Sequence, residues 1–271
     1  MIRSAIVVIV GIPLTAVLGG WIVLSALLRL PGTRTCCEVF PRFWSRVLLF
    51  LAGVRVEMDG MESVDWSRPT VVVANHQSWF DVFALAAYLP ARYRFVAKQE
   101  LARIPIFGKA WRSCGHIAVN RSDRSQAVAS IEEAGTEIRD RRLAVIFFPE
   151  GTRSPDGRLQ EFKKGAFVLA IQTGVPVVPL GISGSHAVMP KGSFQIRSGT
   201  IRIRVGEPIP VSGLSMSERD GLLREGRARV AALMEEPAEA TRPPEEEEGK
   251  EDPAGTGDPG GGEFLEHRPE D

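Results

Sequence analysis

Residues 71–81 read Val71-Val72-Val73-Ala74-Asn75-His76-Gln77-Ser78-Trp79-Phe80-Asp81, and how this stretch folds decides the rest. Its apolar start predicts a strand, and the polar residues after it predict a strand-to-loop transition. His76 and Asp81 then offer an imidazole and a carboxylate five positions apart. On a regular helix such residues point about 140° away from each other, given 3.6 residues per turn. The two side chains meet only if His76 lies on the turn before a helix and Asp81 in its first turn. Ser78 allows this, because it can cap a helix through Phe83 and Leu85 to Leu89, with Pro90 as the stop. His76 is then a candidate general base and Asp81 the acid that orients it. The same residues also permit a plainer arrangement. Ser78-x-x-Asp81 is a capping box, in which Asp81 serves the helix N-terminus and His76 is an ordinary loop histidine.

Outward from this stretch, short β-rich runs alternate with helical ones between about Val54 and Met234. Strands are expected over 70–74, 93–97, 116–119, 143–148, 177–182 and 200–205. Helices are expected over 78–89, 107–113, 125–141, 163–173 and 215–234, the last opened by a capping box of Ser215 and Glu218. The alternation predicts an α/β fold, with a mixed, largely parallel sheet flanked by helices. Functional residues then belong on the loops at strand ends.

One such loop, straight after an apolar strand, carries Phe148-Pro149-Glu150-Gly151-Thr152-Arg153-Ser154. Gly151 permits an unusual backbone angle or a close ligand approach. Arg153 offers the planar donor fork that grips a phosphate bidentately. Lys163, Lys164 and Gly165 open the next helix, whose N-terminal amides also favour an anion. The competing reading is a turn with surface charges, since Ser-Pro-Asp-Gly at 154–157 is itself a turn signal. A third cluster, Gly115-His116-Ile117-Ala118-Val119-Asn120-Arg121, places Asn120 and Arg121 at another strand end. They are a second grip on a polar substrate or the start of a helix. His116 alternates with apolar neighbours and reads as structural. A Cys114–His116 nucleophile pair is disfavoured, because residues two apart in a strand share a face without bringing sulfur onto the ring. The fourth cluster, Val175-Pro176-Val177-Val178-Pro179-Leu180-Gly181-Ile182, is buried strand or the lining of an acyl-chain pocket.

The ends of the chain differ from its middle. From Ser4 to Leu28 there is no charged residue, and as a helix these 25 residues would run about 37 Å, enough to cross a hydrocarbon core of about 30 Å. Gly11, Pro13, Gly19 and Gly20 soften such a helix and leave a re-entrant hairpin open. A cleaved signal peptide is disfavoured by the length of the stretch and the missing cleavage site. A second apolar patch over 47–54, preceded by Phe40, Arg42, Phe43, Trp44 and Arg46, suits a helix at a membrane surface or one packed on the domain. Arg29, Arg34, Arg42 and Arg46 outweigh Arg3, which predicts a catalytic body on the cytoplasmic face of the cell membrane. Residues 235–271 are rich in Glu, Pro and Gly and are expected to be a disordered acidic tail. That tail holds 14 of the 33 acidic and 3 of the 33 basic residues, so residues 1–234 carry 19 acidic against 30 basic, a net of +11. A basic body favours anionic partners such as phospholipid headgroups or a nucleotide carrier. Its basic residues are not gathered into a nucleic-acid motif, so nucleic acid is not an expected partner. Cys36, Cys37 and Cys114 give no metal or disulfide framework, and no metal site is expected. The organisation expected is membrane-anchoring helices over 1–54, an α/β domain over 55–234 and the tail over 235–271.

Together, the four clusters resemble the four sequence blocks of the glycerolipid acyltransferases, most of all the bacterial 1-acyl-glycerol-3-phosphate acyltransferases. Residues 75–81 match the His-x4-Asp block. Gly115 to Arg121, preceded by Phe107-Gly108, resembles the second block, 148–154 matches the third and 175–182 the fourth. The order and rough spacing agree over roughly residues 40–210. The resemblance implies transfer of a fatty acyl group from acyl-CoA or acyl carrier protein to the free hydroxyl of lysophosphatidic acid at a bilayer. His76 would be the base and Asp81 its support, with no cofactor beyond the acyl donor. Glu150, Gly151, Thr152 and Arg153 fall in the block associated with the acceptor's phosphate, and Arg121 and Lys98 are further candidates for that load. The alternatives are an acyltransferase for another lysolipid, or a membrane-anchored lipid-binding protein without catalysis. Hydrolase chemistry is disfavoured, since Gly-x-Ser-x-Gly is missing.

Overall fold

The computed structural model describes residues 1–120, 135, 138 and 141–234. Arg121, most of the helix expected over 125–141, and the tail expected to be disordered lie outside the described residues.

Seven strands form one sheet. They are β1 (Val54–Asp59), β2 (Thr70–Ala74), β3 (Tyr93–Lys98), β4 (Ile117–Val119), β5 (Ala144–Phe147), β6 (Val177–Ser183) and β7 (Gly199–Val205). Their order is β1-β7-β6-β2-β5-β3-β4. Every neighbouring pair is parallel except β6 with β7. The mixed, largely parallel sheet is therefore as expected. β1 was missed, because Val54-Arg55-Val56 lies against the end of the apolar patch that reads as helix.

β2 sits mid-sheet, and its apolar run follows from being covered on both faces. Successive side chains point to opposite faces. Val72 and Ala74 enter one core with Phe80, Leu85, Ile146 and Leu180. Val71 and Val73 enter the other with Phe147, Phe167 and Val230. The first core is covered by α2 (Thr33–Ala52) and α3 (Trp79–Tyr88), the second by α5 (Gly165–Thr173) and α7 (Arg219–Leu233). α4 (Phe107–Ser113) precedes β4, and α6 (Ser185–Val188) is a single turn after β6. α7 begins later than expected. Glu218 does accept from the Ser215 backbone N–H at 2.8 Å, but that contact closes the turn before the helix.

α1 (Ile2–Leu27) is the only helix among the described residues long and apolar enough to cross a membrane. It is held to the body along its length. Arg3 donates to Ala52 O at 3.2 Å, and the Ile196 N–H donates to Ser4 Oγ at 2.9 Å. Trp44 Nε1 donates to Thr15 Oγ1 at 2.9 Å, and Ile22 packs with Cys37, Ala110 and Cys114. From Arg3 to Ile22 that is about 29 Å of helix at 1.5 Å per residue. The opposite face, with Ile9, Ile12, Val17 and Leu27, is open. α2 is packed on the domain, one of its two expected readings. Leu48, Leu49 and Ala52 are buried against the sheet, whereas Phe50 is 82 % exposed. Arg42 caps the C-terminus of α3 by donating to Leu89 O and Ala91 O, and its guanidinium lies over the Tyr93 ring.

The expectation of no disulfide is corrected. Cys37 on α2 and Cys114 at the end of α4 are bonded, with Cα atoms 5.2 Å apart, and Cys36 is free. Seventy-seven residues separate the pair, and nothing local in the sequence brings the two together. The bond also removes Cys114 as a nucleophile. Cross-linking across so long a loop stabilises by about 4–5 kcal/mol in the chain-entropy picture. Cys114→Ser is therefore expected to lower the thermal midpoint by several degrees, while Cys36→Ser leaves it in place, as differential scanning fluorimetry with and without a thiol reductant would read.

Candidate active site

Because β2, β5, β3 and β4 run parallel, their C-terminal ends open on the same edge of the sheet. That edge collects His76 after β2, the 148–154 loop after β5, Lys98 at the end of β3 and Asn120 after β4. Ligands in open α/β sheets bind at such an edge.

His76 and Asp81 meet. His76 Nδ1 lies 2.8 Å from Asp81 Oδ2. The same oxygen accepts from the Gln77 N–H at 2.7 Å and the Ser78 N–H at 2.8 Å, and the Ser78 side chain completes the capping box. The orienting and capping readings are therefore both true of one carboxylate. Asp81 is fully buried, and the His76 side chain is 14 % exposed. A deprotonated Asp81 requires the ring proton on Nδ1, which leaves the Nε2 lone pair free. No described group bonds to Nε2. The ring is stacked on Phe148, with centroids 4.1 Å apart.

The backbone of His76 is clamped on both sides. Its N–H donates to Glu150 Oε1 at 2.6 Å, and its C=O accepts from the Ser154 N–H at 2.7 Å. Glu150 Oε2 accepts from Gln160, through the backbone N–H at 3.2 Å and Nε2 at 2.9 Å. Gln77 Nε2 donates to Gly157 O at 2.7 Å. Asn75, buried, pairs with the Ile182 backbone: its Nδ2 donates at 2.8 Å and its Oδ1 accepts at 2.7 Å. The first and third sequence blocks are thus stitched together, and the first is pinned to the fourth.

Arg153 lies with its guanidinium 5.1 Å from the Trp79 ring centroid. Partial burial pushes its pKa down, and the Asp81 charge pulls it back up. Thr152 is exposed, with its C=O accepting from Gln160 Nε2 at 3.3 Å. Gly151 adopts φ +77°, the conformation its identity anticipates. Lys98 is exposed and paired with Glu100 at 2.9 Å, with no bond to His76 or Asp81. His116 is structural, as expected. The Phe95 N–H donates to its Nδ1 at 3.0 Å, Trp111 stacks on the ring, and burial with the Arg94 charge pushes its pKa down to about 3.

Three comparisons place this arrangement. The family model described as Acyltransferase matches residues 55–183. The human 1-acyl-sn-glycerol-3-phosphate acyltransferase alpha is 32% identical over 222 residues, covering 80% of this chain and 78% of that protein. This chain belongs to the acyltransferase family.

Among this chain's other relatives is the chloroplastic 1-acyl-sn-glycerol-3-phosphate acyltransferase LPAT1 of Arabidopsis thaliana, 34% identical over 76% of this chain. The match spans 56% of that plant protein's length, so the chain covers about half of the first such relatives. The crystal structure of the 1-acyl-sn-glycerophosphate (LPA) acyltransferase PlsC from Thermotoga maritima superimposes with a TM-score of 0.70 at 26% identity, over 85% of this chain and 95% of that one.

Beside the site the chain carries an apolar cavity of about 110 Å³, with Thr15, Gly19, Trp44, Val82, Phe95 and His116 in its lining. Val82 directly follows Asp81, and Phe95 stacks on Phe148, which stacks on His76. Of the two readings of 175–182, the buried strand holds: β6 is buried along its length, and none of these residues lines this cavity. The cavity lies instead between α1, α2, α4 and β3, which no local motif marks. Asn75, Gln160 and Ser154 were also missed as site residues, because their roles depend on partners far away in the chain.

Glu150 carries a pH signature. Burial raises its pKa above the usual carboxylate value, with the donors from His76 and Gln160 opposing. A raised native pKa favours the protonated native state, so the stability it gives is present below the unfolded value and lost as pH rises through the native one. Glu150→Gln removes that loss. Its unfolding free energy relative to wild type is expected to rise between about pH 4 and neutrality, measured by urea denaturation across that range.

Proposed function

We propose that this acyltransferase moves a fatty acyl group from acyl-CoA or acyl-ACP to the sn-2 hydroxyl of 1-acyl-glycerol-3-phosphate, giving phosphatidic acid. The observation that carries this is the His76–Asp81 pair with an open Nε2, set between a cationic loop and an apolar cavity. An alcohol is a poor nucleophile at neutral pH, so the step needs a positioned base.

His76 Nε2 takes the acceptor's hydroxyl proton as that oxygen bonds to the thioester carbonyl carbon. The tetrahedral intermediate then expels the thiolate, breaking the C–S bond. The imidazolium returns its proton to the departing sulfur, so the ring ends neutral. Asp81 stays ionised throughout, holding the tautomer and supporting the transient imidazolium. No acyl-enzyme is required. The donor's chain occupies the cavity behind Val82 and Phe95. Arg153 takes the acceptor's phosphate, in the geometry a guanidinium favours. Lys98 is a further candidate at the same edge, and Arg121 is one by its place in the sequence. Glu150 has the wrong sign for a phosphate; with Ser154 it holds the His76 backbone, and is a positioning residue.

The reading also gives α1 a task. A helix attached along its length to the domain does not leave that domain on the far side of a bilayer. Its open apolar face fits a helix lying in one leaflet, with the catalytic edge at the lipid surface and the donor arriving from the cytoplasm. The basic body draws the acidic headgroups closer.

A labelled-acyl assay with lysophosphatidic acid tests the chemistry. His76→Ala is expected to lower kcat by about a thousandfold, and full transfer by that variant would overturn the base assignment. Arg153→Ala is expected to raise KM for lysophosphatidic acid about tenfold while sparing a neutral monoacylglycerol acceptor. An unchanged acceptor preference rules out the phosphate assignment. For the membrane reading, replacing Ile9, Ile12 and Leu27 together by Glu is expected to release the protein from anionic vesicles in a flotation assay.

A further inference from the structure

The loop after β5 gathers two positive charges without a counter-charge among the described residues. Gly151 is one reason. A side-chain carbon built on it would lie 2.9 Å from Lys163 Nζ and 3.0 Å from Lys163 Cε. The lysine, exposed as a residue, therefore lies with its side-chain end folded back across the glycine. Its backbone is anchored, since the Lys163 N–H donates to Pro149 O at 2.8 Å. The neighbouring carboxylate, Glu150, is already engaged by His76 and Gln160. Lys163 forms no ion pair among the described residues, whereas the adjacent Lys164 is paired with Asp220 at 3.3 Å. Arg153, two residues beyond Gly151, is in the same position: its guanidinium rests on Trp79, and the acid nearest to it electrostatically, Asp81, is engaged by His76.

We infer that Lys163 is a second cation of the acceptor site, closing on the lysolipid's phosphate from across Gly151 while Arg153 holds it from the Trp79 side, and that this pair selects a phosphate monoester over a diester. The inference rests on the reading given under Proposed function. A monoester with a second pKa near 6 carries about −1.5 to −2 at neutral pH, which two cations match. A diester headgroup carries a single negative charge and needs one. The division of labour suits the two side chains, a planar fork and a mobile point charge. Gly151 is then glycine on two counts, for its backbone angle and for the ammonium's path.

The test compares Lys163→Met, Lys163→Arg and Lys164→Met in the full chain on vesicles, with lysophosphatidic acid and lysophosphatidylglycerol as acceptors. Lys163→Met is expected to raise KM for the monoester about tenfold, to change kcat by less than about threefold, and to leave KM for the diester within about twofold. Lys163→Arg recovers most of the loss. Lys164→Met, which removes the same net charge from a lysine already paired, behaves as wild type. The KM ratio of Lys163→Met to wild type is expected to shrink as pH falls from 8 to 5.5 and the phosphate takes up its second proton, which a structural role would not produce. A KM for Lys163→Met indistinguishable from that of Lys164→Met, or a fall in kcat alone, overturns the assignment. Calorimetric binding of a short-chain lysophosphatidic acid without donor reads the same contact independently of turnover. Should wild type fail to acylate the lysolipid yet lose binding on Lys163→Met, the reaction assigned above is wrong and the anion site stands.

Discussion

One carboxylate oxygen organises the centre of this protein. Asp81 Oδ2 accepts from the His76 ring and from two successive backbone N–H groups, Gln77 and Ser78. The backbone bonds stabilise the first turn of α3 and satisfy one oxygen of the buried carboxylate, while Oδ1 has no hydrogen-bond partner among the described residues. The third bond fixes the ring's tautomer. Folding of the helix start and orientation of the imidazole are therefore the same event. A residue that only capped would leave His76 loose, and one that only oriented the ring would leave two N–H groups without a partner.

That arrangement needs a rigid frame, and the frame is the parallel sheet. β2 lies between β5 and β6, so the loop leaving it is flanked by the loop after β5 and the end of β6. Glu150 and Ser154 hold the His76 peptide units from one side, and Ile182 holds Asn75 from the other. Each of these bonds joins segments more than 70 residues apart in the chain. Precision at the site thus comes from tertiary hydrogen bonds that each end on backbone, one of them backbone to backbone and the rest made by the buried side chains of Glu150 and Asn75.

Around this frame, charge and apolar surface are separated. The cationic side chains of Arg153 and Lys163 sit on the loop after β5, while Phe148, Phe95 and Val82 lead from the dyad into the apolar cavity. A lysolipid and an acyl thioester present the same division, an anionic head at one side of the reacting atoms and hydrocarbon at the other. The Cys37–Cys114 bond ties α2 to α4 in the wall of that cavity. α1 packs on both, and its own outer face is open and apolar.

The sequence by itself determined the alternation of elements, the apolar run of β2, the cap at Ser78 and the chemical types gathered at strand ends. These rest on local rules of periodicity, capping and turn chemistry, which act over a few residues. It also bounded the geometry of His76 and Asp81, since five-residue spacing allows contact only across a helix start. Only the tertiary structure decided that Glu150 braces the His76 backbone, that Cys37 finds Cys114, that Lys163 lies over Gly151 while Lys164 turns to Asp220, and that the cavity opens between α1, α2, α4 and β3. The physical reason is the same in each case. Which distant segment supplies a partner depends on strand order and helix packing, and those emerge from burying two faces of one sheet at once.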